Sequence, residues 1–153
     1  MNSTHDKQLI TFRSSARVLG TASDRLVAIH ECGHALVGHL RQLHVVAVQL
    51  ANIGGTVVEE DQSAPPPGLL DFFYAGLCAE IEFGYSLRVA LDGCKTDLLL
   101  ASTVFPGHNP APVLARTRSL VRYHKDTITR VARELMTHGH LARADLLRLM
   151  RTA

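Results

Sequence analysis

Apolar positions divide this chain into a few blocks of distinct period. Leu26, Ile29, Gly33, Val37 and Leu40 recur at helical spacing, and no proline interrupts residues 22–43. Thr21-Ala22-Ser23-Asp24 has the form of a capping box, [ST]-x-x-[DE], ahead of that run, so a helix is predicted there. Residues 45–50, Val-Val-Ala-Val-Gln-Leu, are rich in β-branched side chains and read as a strand. Asn52-Ile53-Gly54-Gly55 reads as a turn and residues 56–59 as a second short strand, which makes a hairpin. Pro65-Pro66-Pro67 forbids regular structure in a loop over 60–68. Residues 69–83 are strongly apolar and predict a buried helix, and 84–95, bearing Gly93, read as a loop. Thr96 can cap a helix from Asp97 to about Val104. After a break over 105–112, one long helix is expected to about His138, with Val113, Leu120, Val121, Ile128, Val131 and Leu135 on its buried face. His138-Gly139-His140 is a turn, and a short helix closes the chain over 142–151.

These elements predict an α+β fold, mainly α-helical, with one small sheet or hairpin. Residues 1–20 read as a loosely docked N-terminal arm and 21–153 as a single domain whose C-terminal part, 111–151, is helical. There is no internal repeat. Composition narrows the class. Hydrophobic residues make up 46% of the chain, enough for a core, and the net charge is only +2, so no nucleic-acid footprint is expected. The late basic residues, from Arg116 to Arg151, are interspersed with Asp126, Glu134 and Asp145 and read as solvated helix faces. Three cysteines form no C-x-x-C pair, which argues against a disulfide framework and for a reducing, cytoplasmic setting. No apolar run is long enough for a bilayer, and residues 1–11 lack the apolar core of a secretory signal.

The chemistry lies in His30-Glu31-Cys32-Gly33-His34, an H-E-x-x-H sequence inside the first helix. Residues four apart share a helix face, so both imidazoles can reach one metal ion, while Glu31, one step round, can reach a metal-bound water without ligating. A catalytic Zn²⁺ usually takes three protein ligands. A third histidine at metzincin spacing is absent, since position 40 is Leu and His39 and His44 are wrongly placed. The candidate carboxylates are Glu80, Glu82, Asp92 and Asp97. Glu80 is equally a buried acceptor that orients a motif histidine or a solvated helix residue. Cys32 points away from the His30/His34 face and reads as a packed small hydrophobe, Cys78 and Cys94 as core and loop thiols. His108, His138 and His140 lie near turns and read as solvated.

Several of these segments resemble the peptidase domain of the FtsH-type, membrane-bound ATP-dependent zinc proteases. Residues 28–37, Ala-Ile-His-Glu-Cys-Gly-His-Ala-Leu-Val, are similar to that family's A-x-H-E-A-G-H-A-[LIV]-V. Residues 45–56 resemble its strand and Gly-Gly turn, and 75–84 resemble G-G-R-A-A-E-E-x-x-F-G, one residue shorter. Thr96-Asp97-Leu98 falls where the family has N-D-L, and 124–150 resemble its C-terminal helices. The resemblance covers residues 24–151 and implies a zincin-like helical peptidase with His30, His34 and Asp97 as Zn²⁺ ligands and Glu31 as the base. Three features depart from the pattern. Ala75 and Leu77 replace the first Gly and the Arg of G-G-R, and Leu91-Asp92-Gly93-Cys94-Lys95 replaces the usual T-T-G-A loop. Neither a phosphate-binding G-x-x-x-x-G-K-[ST] nor a membrane-spanning segment occurs.

The resulting expectation is a stand-alone zinc endopeptidase acting on unfolded or flexible polypeptides, with a separate ATPase or regulatory partner where folded substrates are concerned. Residues 45–50 could align an extended peptide by strand addition, provided that strand has a free edge. The alternatives are a catalytically weak module of the same fold acting with a partner protein, and a metal-free helical interaction protein in which the motif is accidental.

Overall fold

The computed structural model describes residues 8–13, 24–50, 55–60 and 68–151. The capping residues Thr21 to Ser23, the turn residues Asn52 to Gly54 and the proline triplet lie outside these. The fold is α+β and mainly helical, with seven helices and four strands among the described residues.

The first helix, α1 (Asp24–Leu40), is buried over nearly its whole circumference from Leu26 to Gly38. A helix buried on all sides sits at the centre of a fold, not on its rim. Helix α2 (Leu69–Glu82) lies directly against it. Small residues set that closeness: a Cβ on Gly33 would stand 2.7 Å from Ala79 Cβ and 2.9 Å from the Ala75 carbonyl oxygen. Phe72 and Phe73 of α2 are almost fully buried beside it, each worth about 1.5–3 kcal/mol of hydrophobic transfer.

The strands are β1 (Gln8–Arg13), β2 (His44–Gln49), β3 (Gly55–Glu60) and β4 (His140–Ala142), in the order β1-β3-β2-β4 with every pairing antiparallel. The expected hairpin of residues 45–50 and 56–59 is thus present as β2 and β3, inside a larger sheet. Residues 8–13, read as part of a loose arm, are an edge strand paired to β3 from Gln8↔Glu60 to Arg13↔Gly55. Residues 140–142, read as a turn and helix start, pair with β2 through Ala47↔Ala142 and Gln49↔His140. Register slips between Val45 and Ala47, so Val46 is an extra residue on β2. The bulge re-phases the strand and lets both Val45 and Val48 enter the core, three positions apart instead of two.

The helical half differs from the sequence reading in two places. The expected loop over 84–95 contains α3 (Leu87–Gly93), started by Ser86, whose hydroxyl accepts from the Val89 amide at 3.3 Å. The next helix, α4 (Lys95–Val104), follows at once with Cys94, not Thr96, as its N-cap. The single long helix is two, α5 (Pro110–Tyr123) and α6 (Lys125–His138), broken at His124 where φ is −103° and ψ 22°. Gly139, with φ at 71°, closes α6 in the left-handed conformation that glycine adopts freely, and α7 (Arg143–Met150) completes the chain.

Basic side chains on α5 do more than face solvent. Arg116 and Arg41 both pair with the buried Asp71, the latter at 2.7 Å, and so tie the middle of α5 and the end of α1 to the start of α2. Arg118 and Arg122 grip Glu82 at 2.8 and 2.9 Å at the other end of α2. Hydrogen bonding to Arg122 leads the causes that hold the Glu82 carboxyl below its usual value.

Candidate metal centre

His30 and His34 lie one turn apart on α1, and Asp97, in the first turn of α4, faces them. The two Nε2 atoms are 3.0 Å apart, and Asp97 Oδ2 lies 3.3 Å from His30 Nε2 and 3.5 Å from His34 Nε2. Three donors at ~2.1 Å from one tetrahedral ion stand ~3.4 Å from each other, so this triangle has the dimensions of a Zn²⁺ ligand set. All three residues are buried, at 1–2% exposure.

The outer hydrogen bonds fix which ring atoms face inward. His34 Nδ1–H donates to the Phe72 carbonyl oxygen at 2.7 Å, an acceptor that leaves no other role for that nitrogen. His30 Nδ1 lies 2.9 Å from Glu80 Oε1, which accepts its proton in the same way. Both Nε2 lone pairs are therefore turned towards each other and towards Asp97 Oδ2, which makes no hydrogen bond of good geometry. Three lone pairs converging in a buried space repel unless a cation lies between them, and a proton or a metal ion meets that need. The donor set fits zinc.

In the metal-free protein a proton serves. Burial opposes a charge on His30, but the Cys94 sulfur, Asp97 and Glu80 outweigh it and hold the imidazole protonated well above its ordinary value. Burial likewise opposes charge on Asp97, yet His34 and His30 keep its carboxyl well below the usual range. Each group charges the other, in the manner of a buried ion pair.

The four candidate carboxylates separate cleanly. Asp97 faces both histidines. Glu80 is fully buried and bonded to His30, which settles its reading as an orienting acceptor over a solvated residue. Glu82 is held by arginines on α5. Asp92 is exposed and paired with Lys95. Glu31 is fully buried next to His30 in α1.

Cys32 is buried as expected, and burial followed by the neighbouring Glu31 raises its thiol pKa well above the free value. Burial pushes the Cys78 thiol up to about 12 and raises that of Cys94 as well. Cys94 is no loop thiol, however: it is buried with Sγ 3.8 Å from His30 Nδ1. His138 and His140 are exposed as expected. His108 is half-buried, donating from Nδ1 to the Phe105 carbonyl and accepting from the Tyr74 hydroxyl at 2.8 Å, contrary to its solvated reading.

Two contributors to the site escaped sequence reasoning. One is the Phe72 carbonyl, which any residue at that position would supply. The other is Gly76, where a Cβ would lie 2.4–2.6 Å from three atoms of the His30 ring. The small residues Ala75, Gly76 and Ala79 in an otherwise bulky apolar helix were the available signal of a close helix approach. The sequence matches no family model and no curated protein.

Proposed function

We propose that this chain is a zinc-dependent endopeptidase of the FtsH-type peptidase fold, hydrolysing flexible polypeptides. The observation that carries the reading is the buried triangle of His30 Nε2, His34 Nε2 and Asp97 Oδ2, oriented from outside by Glu80 and Phe72. His30, His34 and Asp97 would hold the ion. Zn²⁺ bound there would supply Lewis acidity and lower the pKa of a coordinated water towards neutrality. Glu31 acts as the base that takes a proton from the attacking water and returns it to the leaving amine. Glu80 keeps the His30 ring in the tautomer with its Nε2 lone pair free, and the Phe72 carbonyl does the same for His34.

Strand addition on β2 is not part of this reading. Residues 44–49 pair with β3 on one side, and 47–49 with β4 on the other, while Arg143 Nη1 donates to the Val45 carbonyl at 2.9 Å. Over residues 47–49 the strand is paired on both sides and offers a peptide no free edge.

One observation favours the second reading, a metal-binding module that acts with a partner protein. Glu31 and all three donors are at most 2% exposed, so a peptide must first gain entry. The experiment that separates the readings combines zinc analysis with cleavage of casein and of a stable globular domain. Glu31→Gln should retain zinc and lose casein cleavage, while the stable domain, protected by roughly 5–15 kcal/mol, should be spared by both proteins. Wild-type turnover by zinc-loaded Glu31→Gln would refute the mechanism, and zinc-loaded wild-type protein inert towards casein would establish the module.

A further inference from the structure

His30 presents its second nitrogen to a different group of donors. Glu80 Oε1 on α2 lies 2.9 Å from Nδ1, and Cys94 Sγ, at the junction of α3 and α4, lies 3.8 Å from it. The three ligand atoms lie within 4.8 Å of one another and all three residues are buried. We infer that Nδ1 of His30, Glu80 and Cys94 form a second metal pocket, selective for thiophilic ions, whose occupation excludes metal from the His30–His34–Asp97 centre. The inference concerns metal occupancy and stands independently of peptide hydrolysis.

The spacings suit coordination. With ligand distances of ~2.1 Å for nitrogen and ~2.3 Å for sulfur, a tetrahedral ion separates its nitrogen and thiolate donors by ~3.6 Å, close to the Nδ1–Sγ distance here. The nitrogen and carboxylate donors would stand ~3.4 Å apart, so Glu80 need retreat only by a few tenths of an ångström. The donor set is also chemically distinct from the first. Two imidazoles and a carboxylate form a borderline-to-hard set, whereas a thiolate draws soft ions. No other cysteine belongs to a donor group among the described residues.

Exclusion follows from the single proton of a neutral imidazole. Metal on Nε2 leaves the proton on Nδ1, where Glu80 accepts it. Metal on Nδ1 leaves it on Nε2, where His34 Nε2 at 3.0 Å and Asp97 Oδ2 at 3.3 Å are in place to accept. Each tautomer thus has its own acceptors, and each opens one pocket while closing the other. Filling the second pocket of the metal-free protein releases the Cys94 thiol proton and the His30 Nδ1 proton to solvent and leaves the remaining ring proton on Nε2. A coordinated thiol gives up its proton outright, so the balance needs no other reactant.

The test is a titration of metal-free protein with Cd²⁺, following thiolate-to-cadmium charge transfer in the ultraviolet. Wild type, Cys32→Ala and Cys78→Ala should develop the band, and Cys94→Ala should lack it while still taking up zinc. Cadmium-loaded wild type should then fail to take up zinc until the cadmium is stripped. Cadmium NMR of the wild type, in which a sulfur ligand shifts the resonance strongly, supplies the answer without any variant. Absence of a sulfur ligand in that spectrum would overturn the inference, as would an undiminished band in folded Cys94→Ala. Simultaneous occupation by both ions would overturn the exclusion. Failure of wild type to bind zinc at all would instead count against the proposed zinc centre.

Discussion

Replacing Gly76 by alanine tests the centre through a residue that carries no functional group. In a helix interior the change normally stabilises by ~1 kcal/mol, because alanine is the better helix former. Here the new methyl would meet His30 Cε1, Nε2 and Nδ1 at 2.4, 2.5 and 2.6 Å. Ordinary contact begins near ~3.5 Å, so ring and methyl must separate by about 1 Å. The methyl belongs to a helix packed tightly on α1, and the ring is the softer of the two. Its displacement breaks the alignment of Nδ1 with Glu80 and of Nε2 with the other donors. Overpacking costs ~1–3 kcal/mol, so the helical gain is offset or exceeded. Misaligned outer-shell bonding typically lowers metal affinity by ~10–100-fold. Zinc competition against a chromophoric chelator, with thermal unfolding of the metal-free protein, reads both effects. Gly139→Ala is the control. Its positive φ makes alanine costly by ~1–2 kcal/mol, but nothing lies within 4 Å of the new Cβ, so zinc affinity should not change. A Gly76→Ala protein that is more stable than wild type and binds zinc equally well would refute the packing argument.

Asp97→Ala should reduce zinc affinity by more than the ~10–100-fold typical of an outer-shell loss, and Asp92→Ala hardly at all, since Asp92 is exposed and paired with exposed Lys95; equal zinc contents in the two variants would remove Asp97 from the ligand set. Zinc uptake near neutral pH should release protons, because the metal-free His30 holds its proton above the ordinary range, and calorimetric heats should then vary with the ionisation enthalpy of the buffer. The depressed Asp97 carboxyl contributes stability present above the unfolded value of ~3.9 and lost as pH falls through the lower folded value, while the raised His30 contributes stability present below ~6.5 and lost as pH rises through its folded value. Urea midpoints of the metal-free protein should accordingly fall at both ends of the pH range, and a flat profile from acid to alkaline pH would show that the pair is not charged as described.

The parts legible in the sequence are those that depend on neighbours within a turn or two. The period of Leu26, Ile29, Gly33, Val37 and Leu40 specifies α1, and the four-residue spacing places His30 and His34 on one face whatever surrounds them. The apolar run in 69–83 and the β-branched run in 45–50 likewise announce α2 and β2. Elements whose identity depends on distant partners were not legible. Gln8–Arg13 is a strand because β3 offers an edge, and His140–Ala142 because β2 does. The break at His124 has neither proline nor glycine to mark it. The same division runs through the site. Along the chain Glu80, Glu82, Asp92 and Asp97 are four carboxylates of similar promise. In space one faces two imidazoles, one orients His30, one is gripped by arginines and one is exposed. Cys94 and Gly76 gain their importance only because α2 and the α3–α4 junction both close on a single imidazole. Helical periodicity is a property of the backbone over a few residues, whereas convergence on one ring is a property of packing between segments about fifty residues apart.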